Sequence, residues 1–422
     1  MSRPSPVVLD DLAEPMFPTE VQPVVEMMAS LGPSLSLEPD ALMGDATSAT
    51  GLSDFGDTGF KVRLEVLCRA FREEAGLSGM GRTATVGLLS GLLKNRLLVE
   101  DLLRRHPEIL QVEIRRPIII CGLPRTGTTH LHNLMSADPD LRSLPYWESL
   151  EPVLADSERP APGQPDPRLA RTDVAVDFIN TAMPYFQRMH EMTVDHVHEE
   201  IQLLAIDFST MLFETSAVMP TWRDYYLSHD QTPSYAYLKK LLQVMTWLRG
   251  GDRWVLKSPQ HLEQFGPLVT TFPDATFVVT HRDPVSVTVS LATMVSYTAR
   301  LSASKVDPVA ITAYWIDRVE RMLRACVTDR ELLPPDRSID VRFDEFMNDD
   351  VATVERIYDL AGQPMTPEVR RDMEAFMQTH PRGRHGAITY RPEQLGIDLN
   401  ERRQALAFYS DRFKVQVEGS SR

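Results

Sequence analysis

The stretch that most narrows the fold lies between residues 118 and 137. A short apolar run, Ile118 to Cys121, leads into the glycine-bounded segment Gly122 to Thr129, and a helical pattern follows from His130 to Ala137. Strand, tight loop and helix in this order form half of a βαβ unit. Glycines let backbone N–H groups turn inward, and the positive end of the next helix adds to their effect. The pattern is therefore typical of a loop that binds anionic oxygens.

Three later segments are also short and apolar and are predicted to be strands: Trp254 to Lys257, Thr276 to Thr280 and Ile339 to Phe343. Helical sequence separates each segment from the next. This alternation predicts an α/β fold, namely a three-layer parallel β-sheet of P-loop type with helices on both faces.

The N-terminal part of the chain is expected to differ from this core. Residues 1–58 contain many Pro, Ser, Asp and Gly residues and show little periodicity. We expect a loosely ordered arm there, with one short helix around Val21 to Leu31. In residues 59–110 the leucines between Leu88 and Leu103 recur at helical spacing, which predicts a helical extension that packs on the core.

The α/β domain itself is expected to span residues 111–415, followed by a short tail, 416–422. Within it, residues 168–249 form a long helical insertion rich in Met and aromatic residues. Most of these side chains are expected to be core. An insertion beside a ligand-binding loop is also where an acceptor pocket or a lid would lie.

Charge and composition exclude several classes of partner. The 422 residues carry 44 basic and 59 acidic side chains, a formal net charge of −15, which opposes binding to nucleic acid. No apolar run approaches the ~20 residues of a membrane span, although peripheral membrane contact stays open. Three scattered cysteines and the lack of a signal-peptide pattern favour a cytoplasmic protein. The oligomeric state is not specified by the sequence.

The loop lacks a residue that nucleotide hydrolases need. A Lys normally follows the second glycine and neutralises the β- and γ-phosphates, but Thr128 stands at that position here. Arg125, inside the loop, offers a cationic fork instead. A small-molecule kinase that uses ATP and Mg²⁺ is therefore the weaker interpretation.

A second group of residues points to a second anion. Asp283 and Pro284 are good N-cap and first-turn residues, so a helix should start directly after the strand that ends near Thr280. This places Arg282 at the carboxyl end of a strand, where open α/β sheets bind ligands. Together with Ser290, Arg282 would hold a phosphate away from the first loop.

Three ordered motifs resemble those of the sulfotransferase family that uses 3′-phosphoadenosine 5′-phosphosulfate (PAPS). They are Leu123 to Thr129, Leu256 to His261, and His281 to Pro284 with Ser290 beyond it. The nearest branch is the bacterial one with a helical N-terminal extension. The resemblance covers roughly Phe60 to Phe413, and it implies PAPS as the sulfuryl donor and adenosine 3′,5′-bisphosphate as the product.

The resemblance also implies roles for individual residues. The residues expected to hold the 5′-phosphosulfate are Arg125, Thr126, Gly127, Thr128 and Thr129. Arg282 and Ser290 resemble the pair that binds the 3′-phosphate, and Lys257 resembles a lysine that faces the oxygen bridging sulfate and phosphate.

The C-terminal part of the resemblance is less regular. Arg384 and Tyr390 match a loop that closes over the nucleotide. In the family a basic residue directly precedes this Tyr, whereas Thr389 precedes it here.

Sulfuryl transfer needs a base for the acceptor hydroxyl. Glu148, shortly after the loop helix, resembles the glutamate of the Glu-using branch, and its neighbour Trp147 should partly desolvate it. Glu151 is the nearest competitor. Three other side chains remain alternatives: His130, Glu199 and Glu200.

A metal site is not expected. His196 and His198 would diverge on a helix and would chelate together only in an extended chain. The sequence therefore predicts a metal-independent transfer of a sulfuryl group from PAPS to a hydroxyl of a small or lipid-like acceptor, with Glu148 and Lys257 as catalytic residues. A non-catalytic nucleotide-binding relative is the third interpretation.

Overall fold

A computed structural model describes residues 4–418 and contains one parallel sheet. Its strands are β1 Ile118–Cys121, β2 Leu141–Arg142, β3 Arg253–Ser258, β4 Thr276–His281 and β5 Ser338–Arg342. They lie in the order β2-β3-β1-β4-β5, and every neighbouring pair is parallel. The predicted α/β class and parallel sheet are confirmed. The sequence pattern missed β2, so the long helical insertion lies between β2 and β3 and not directly after β1.

Helices surround this sheet. In chain order they are α1 Gln22–Leu31, α2 Pro39–Thr50, α3 Phe60–Glu73, α4 Gly79–Arg105, α5 Thr128–Met135, α6 Tyr146–Leu150, α7 Pro167–Ala182, α8 Ile201–Ala205, α9 Pro220–Ser228, α10 Thr232–Arg249, α11 Phe265–Thr271, α12 Pro284–Thr298, α13 Pro308–Asp329, α14 Phe343–Asn348, α15 Asp350–Ala361, α16 Pro367–Thr379, α17 Leu399–Ala405 and α18 Ala407–Phe413. No helix within residues 4–418 combines the length and apolar character that crossing a membrane requires.

Alternate residues of the strands supply the two faces of the sheet. Ile118 and Ile120 of β1 pack into one buried cluster with side chains of α5, α15 and α16. Ile119 and Cys121 pack into a larger cluster on the other face, with side chains of α4, α10 and α13. Because side chains of a strand alternate between faces, a central strand with no polar position requires apolar cover on both sides. This produces the three layers.

The N-terminal region differs from its prediction. Instead of a loosely ordered arm with one short helix, it contains both α1 and α2, and the contact between α2 and α4 is extensive. Leu37, Leu42 and Ala46 are fully buried in the larger core cluster. The low periodicity of this region misled the prediction, because a short helix needs few apolar residues when a long neighbour, α4, covers them.

We expect Leu42→Ala to lower the free energy of unfolding by about 2–5 kcal/mol, since it empties a fully buried site on α2. Met27→Ala on α1, where the side chain is 55% exposed, is the control and should change stability by less than about 0.5 kcal/mol. Urea denaturation followed by circular dichroism measures both. Equal, small effects would show that α2 does not belong to the core.

Candidate active site

The register of three central strands brings separate parts of the chain to one edge. Ile120 of β1 pairs with Lys257 of β3, and Cys121 pairs with Val279 of β4. Parallel strands end at the same side of a sheet, so the loop that follows β1, the side chain of Lys257 and the residues after β4 lie together. The sequence motifs thus converge on the carboxyl edge of the sheet.

The loop after β1 is tightly curled. Arg125 and Gly127 both have left-handed backbone conformations, with φ of 72° and 88°. A Cβ on Gly122 would lie 1.9 Å from the hydroxyl oxygen of Thr280, so only glycine fits where the loop crosses β4. Thr126 donates to the carbonyl of Leu123 at 2.7 Å, and its hydroxyl also contacts that of Thr280. These contacts hold the loop in place ahead of α5.

Lys257 is almost completely buried beside this loop, with 2% of its surface exposed. Its ammonium group donates to a carboxylate oxygen of Glu199 and lies 3.5 Å from the hydroxyl of Thr129. A buried charge is tolerated only when a partner compensates it, and Glu199 supplies the compensation. The cation and a carboxylate therefore adjoin the start of α5.

The neighbouring Glu200 has a different place. Its carboxylate accepts from the backbone N–H of Lys257 at 2.8 Å and contacts the ring of His261. Burial raises the pKa of Glu200, but the contacts with His261 and the backbone outweigh it and bring the pKa below its ordinary value. Tyr235 in turn contacts His261 at 2.8 Å. Both oxygens of Glu200 are thus used to join β3 to the insertion.

Glu148 lies on α6 and is buried, with 1% of its surface exposed. Arg142 at 2.9 Å and Arg249 at 3.0 Å form ion pairs with its two oxygens. These arginines also line an open cleft of about 420 Å³ at the β2 edge of the sheet, together with Pro145 and Val197. The desolvation expected from the sequence is present, but two cations compensate it.

Arg282, directly after β4, is held from three sides. It donates to the carbonyl of Arg125 at 2.6 Å, and its guanidinium lies 4.0 Å from the ring centroid of Phe343. Its other nitrogens donate to both carboxylate oxygens of Glu418, at 2.5 and 2.8 Å. A bidentate carboxylate contact of this kind has the geometry that a phosphate would also use. No sequence signal linked Glu418 to this position.

Ser290 on α12 joins the first and third motifs. Arg125 donates to its hydroxyl at 3.1 Å, and the hydroxyl of Tyr390 lies 2.7 Å from it. Arg384 of the same C-terminal segment forms an ion pair with Glu191. The structure therefore brings Arg125, Ser290 and Tyr390 together, whereas Arg384 contacts the insertion.

His130, the alternative base on α5, contacts the carboxylate of Asp350 at 2.8 Å and the ring of Phe346. Both partners are on the side of α14 and α15. Neither of these partners is Lys257 or Arg282. Its position is that of a histidine packed between helices.

Comparison with known proteins adds to this geometry. The sequence model of the sulfotransferase family matches residues 117–367. The fold is similar to that of sulfotransferase STF1 from Mycobacterium tuberculosis H37Rv, at 30% identity and a TM-score of 0.76, over 87% of this chain and 98% of that one. It is also similar to sulfotransferase STF9 from Mycobacterium avium, at 25% identity and a TM-score of 0.80, over 90% of this chain and 97% of that one. Comparison with curated protein sequences gives no match.

The matched segment extends from the residue before β1 to the start of α16 and thus includes the loop, Lys257 and Arg282. It makes up more than half of the chain. The chain belongs to the sulfotransferase family.

Proposed function

We propose that this protein transfers a sulfuryl group from PAPS to a hydroxyl of a small or lipid-like acceptor. The observation that carries the proposal is the presence of cationic groups at two places on one sheet edge. One is the curled loop with Lys257 beside it, and the other is Arg282, which already binds a carboxylate through two nitrogens. A nucleotide with phosphate groups at both its 3′ and 5′ positions fits this pair.

The loop amides and Lys257 would act on the 5′ side. In the reaction the acceptor oxygen forms a bond to sulfur, the bond from sulfur to the phosphate oxygen breaks, and the acceptor proton passes to a base. Negative charge then grows on the departing 5′-phosphate. Lys257 and the N–H groups of the loop, including Thr128 and Thr129 at the start of α5, are suited to stabilise that charge.

Contacts around Lys257 favour Glu199 over Glu148 as the base. The Glu199 carboxylate contacts Lys257, which itself lies near Thr129, so an acceptor at the sulfuryl group would be within its reach. Glu148 instead forms ion pairs with Arg142 and Arg249, which line the cleft at the β2 edge. Glu199 is one of the alternatives named from sequence.

On the 3′ side, Arg282 would bind the phosphate together with Ser290. Arg125 and Tyr390 already contact the Ser290 hydroxyl and would orient it. Arg384 would help to hold the segment that carries Tyr390, through its ion pair with Glu191.

We place the protein in the cytoplasm, because Cys68, Cys121 and Cys326 are all free and buried, as in a reducing compartment.

Nucleotide binding tests the proposal against a kinase. We expect adenosine 3′,5′-bisphosphate to raise the melting temperature without Mg²⁺, and ATP with Mg²⁺ to have little effect. Arg282→Ala should abolish the preference for this ligand over adenosine 5′-monophosphate, which lacks the 3′-phosphate. Arg324→Ala, at an exposed site on α13, should keep the preference. Stabilisation by ATP with Mg²⁺ alone would favour the kinase instead.

Matched glutamine variants test the base. With labelled PAPS and the best acceptor from a screen of simple phenols and alcohols, Glu199→Gln should lower kcat by about 10²- to 10⁴-fold, the usual contribution of a general base. Glu148→Gln should lower the melting temperature, since it leaves Arg142 and Arg249 without their buried partner. Its kcat should stay close to that of the unchanged protein. The reverse pattern would return the role to Glu148.

The contact between Arg282 and Glu418 predicts competition with the donor. A 3′-phosphate at Arg282 has to displace the Glu418 carboxylate, so Glu418→Gln should tighten binding of adenosine 3′,5′-bisphosphate by about two- to fivefold. That range corresponds to a partly exposed ion pair. Glu401→Gln on α17 is the control, because the Glu401 side chain is more exposed than that of Glu418. Isothermal titration calorimetry measures both, and an unchanged affinity in Glu418→Gln would show that this carboxylate does not compete.

A further inference from the structure

Three histidines of the insertion lie together although the sequence predicted no metal site. One ring nitrogen from each of His190, His196 and His198 lies within 4.8 Å of the other two. The rings of His190 and His196 are 5.9 Å apart between centroids, and those of His196 and His198 are 5.0 Å apart. Tyr146 packs against both His196 and His198. The proposed sulfuryl transfer makes no use of this cluster.

The backbone explains why the two nearest histidines converge. Val197, between them, forms an antiparallel bridge with Pro145. The N–H of His198 donates to Leu144 at 2.7 Å, and the carbonyl of His196 accepts from Tyr146 at 3.0 Å. In an extended chain, residues two apart point to the same side. The condition under which these two histidines could chelate together is therefore met.

Hydrogen bonds leave one nitrogen lone pair without a partner. Nδ1 of His196 lies 2.7 Å from the carbonyl of Thr193 and 3.3 Å from the N–H of the same residue. Because the shorter contact is to an acceptor, we assign the proton to Nδ1, which makes Nε2 of His196 an acceptor. Nδ1 of His198, 2.8 Å from that Nε2, then has to donate. Nε2 of His198 is left as a buried acceptor with no hydrogen-bond partner among residues 4–418. Buried polar atoms normally have partners, and an atom that does not have one is a candidate ligand for an ion.

Two features suit these rings to a metal. The bond from His196 to the Thr193 carbonyl is the kind of contact that orients histidine ligands in metal sites. The buried lone pair on Nε2 of His198 is a second such feature, because a metal binds imidazole through a lone pair of this kind.

We propose that His190, His196 and His198 bind one divalent transition-metal ion of the zinc class. Ligand nitrogens around tetrahedral zinc, at about 2.0–2.1 Å from the ion, are about 3.3 Å apart. The ring nitrogens of the cluster lie within 4.8 Å of one another. Rotation of the side chains would shorten these distances to the spacing that zinc requires. Three protein ligands leave a fourth position for an oxygen ligand, from water or from an acceptor. This ion is distinct from the Mg²⁺ of a kinase, and its binding does not depend on the proposed reaction.

The test uses the full chain after treatment with a chelator, with Co²⁺ as the probe. We expect the visible ligand-field bands of four-coordinate Co²⁺ to saturate at one equivalent, and Zn²⁺ to abolish them by competition. His190→Gln and His196→Gln, both at half-buried positions, should each weaken binding at least tenfold. His380→Gln, at an exposed site after α16, should bind like the unchanged protein.

A second measurement separates loss of binding from loss of folding. Zn²⁺ should raise the melting temperature of the unchanged protein and of His380→Gln, and should not raise that of His196→Gln. Circular dichroism shows whether each variant is folded before the titration. The proposal is overturned if the unchanged protein gives no ligand-field bands, or if bands of equal strength persist in both His190→Gln and His196→Gln.

Discussion

Parallel pairing of β3, β1 and β4 is the constraint on which the candidate site depends. Lys257 pairs with Ile120, and Val279 pairs with Cys121, so a shift of either neighbour by one residue would turn Lys257 or Arg282 away from the loop. The contact of Gly122 with Thr280 allows no side chain between β1 and β4. Backbone register, and not the charged residues themselves, therefore decides which cations meet at this edge.

The cations of the site are held by acidic partners. Lys257 contacts Glu199, Arg282 contacts Glu418, and Arg384 contacts Glu191. The chain carries a formal net charge of −15, and such pairs hold the basic side chains in position while offsetting the free energy lost when their charges are removed from water. Under the proposed function, an incoming anionic nucleotide would exchange one anion for another, so its affinity would depend on how easily each carboxylate leaves. Glu418 is 36% exposed and Glu199 19%, which makes the 3′ side the easier one to open.

Local patterns predicted the parts of the fold that depend on neighbouring residues. The apolar runs around Ile118, Val255, Phe277 and Val341 all became strands, and the glycine-bounded loop opened α5 as expected. β2 was missed because two residues carry no periodicity. Contacts between distant residues had no sequence signal: Glu418 reaches Arg282 from 136 positions away. Likewise, the extended chain at His196 and His198 depends on a bridge to Pro145.

A crystal structure of the protein with adenosine 3′,5′-bisphosphate tests the central claim most directly. The account predicts the 5′-phosphate on the amides of residues 123–129, with Lys257 beside it. It also predicts the 3′-phosphate on Arg282, with the Glu418 carboxylate displaced. A nucleotide bound elsewhere, or an unchanged bidentate contact between Arg282 and Glu418 in a saturated crystal, would contradict it.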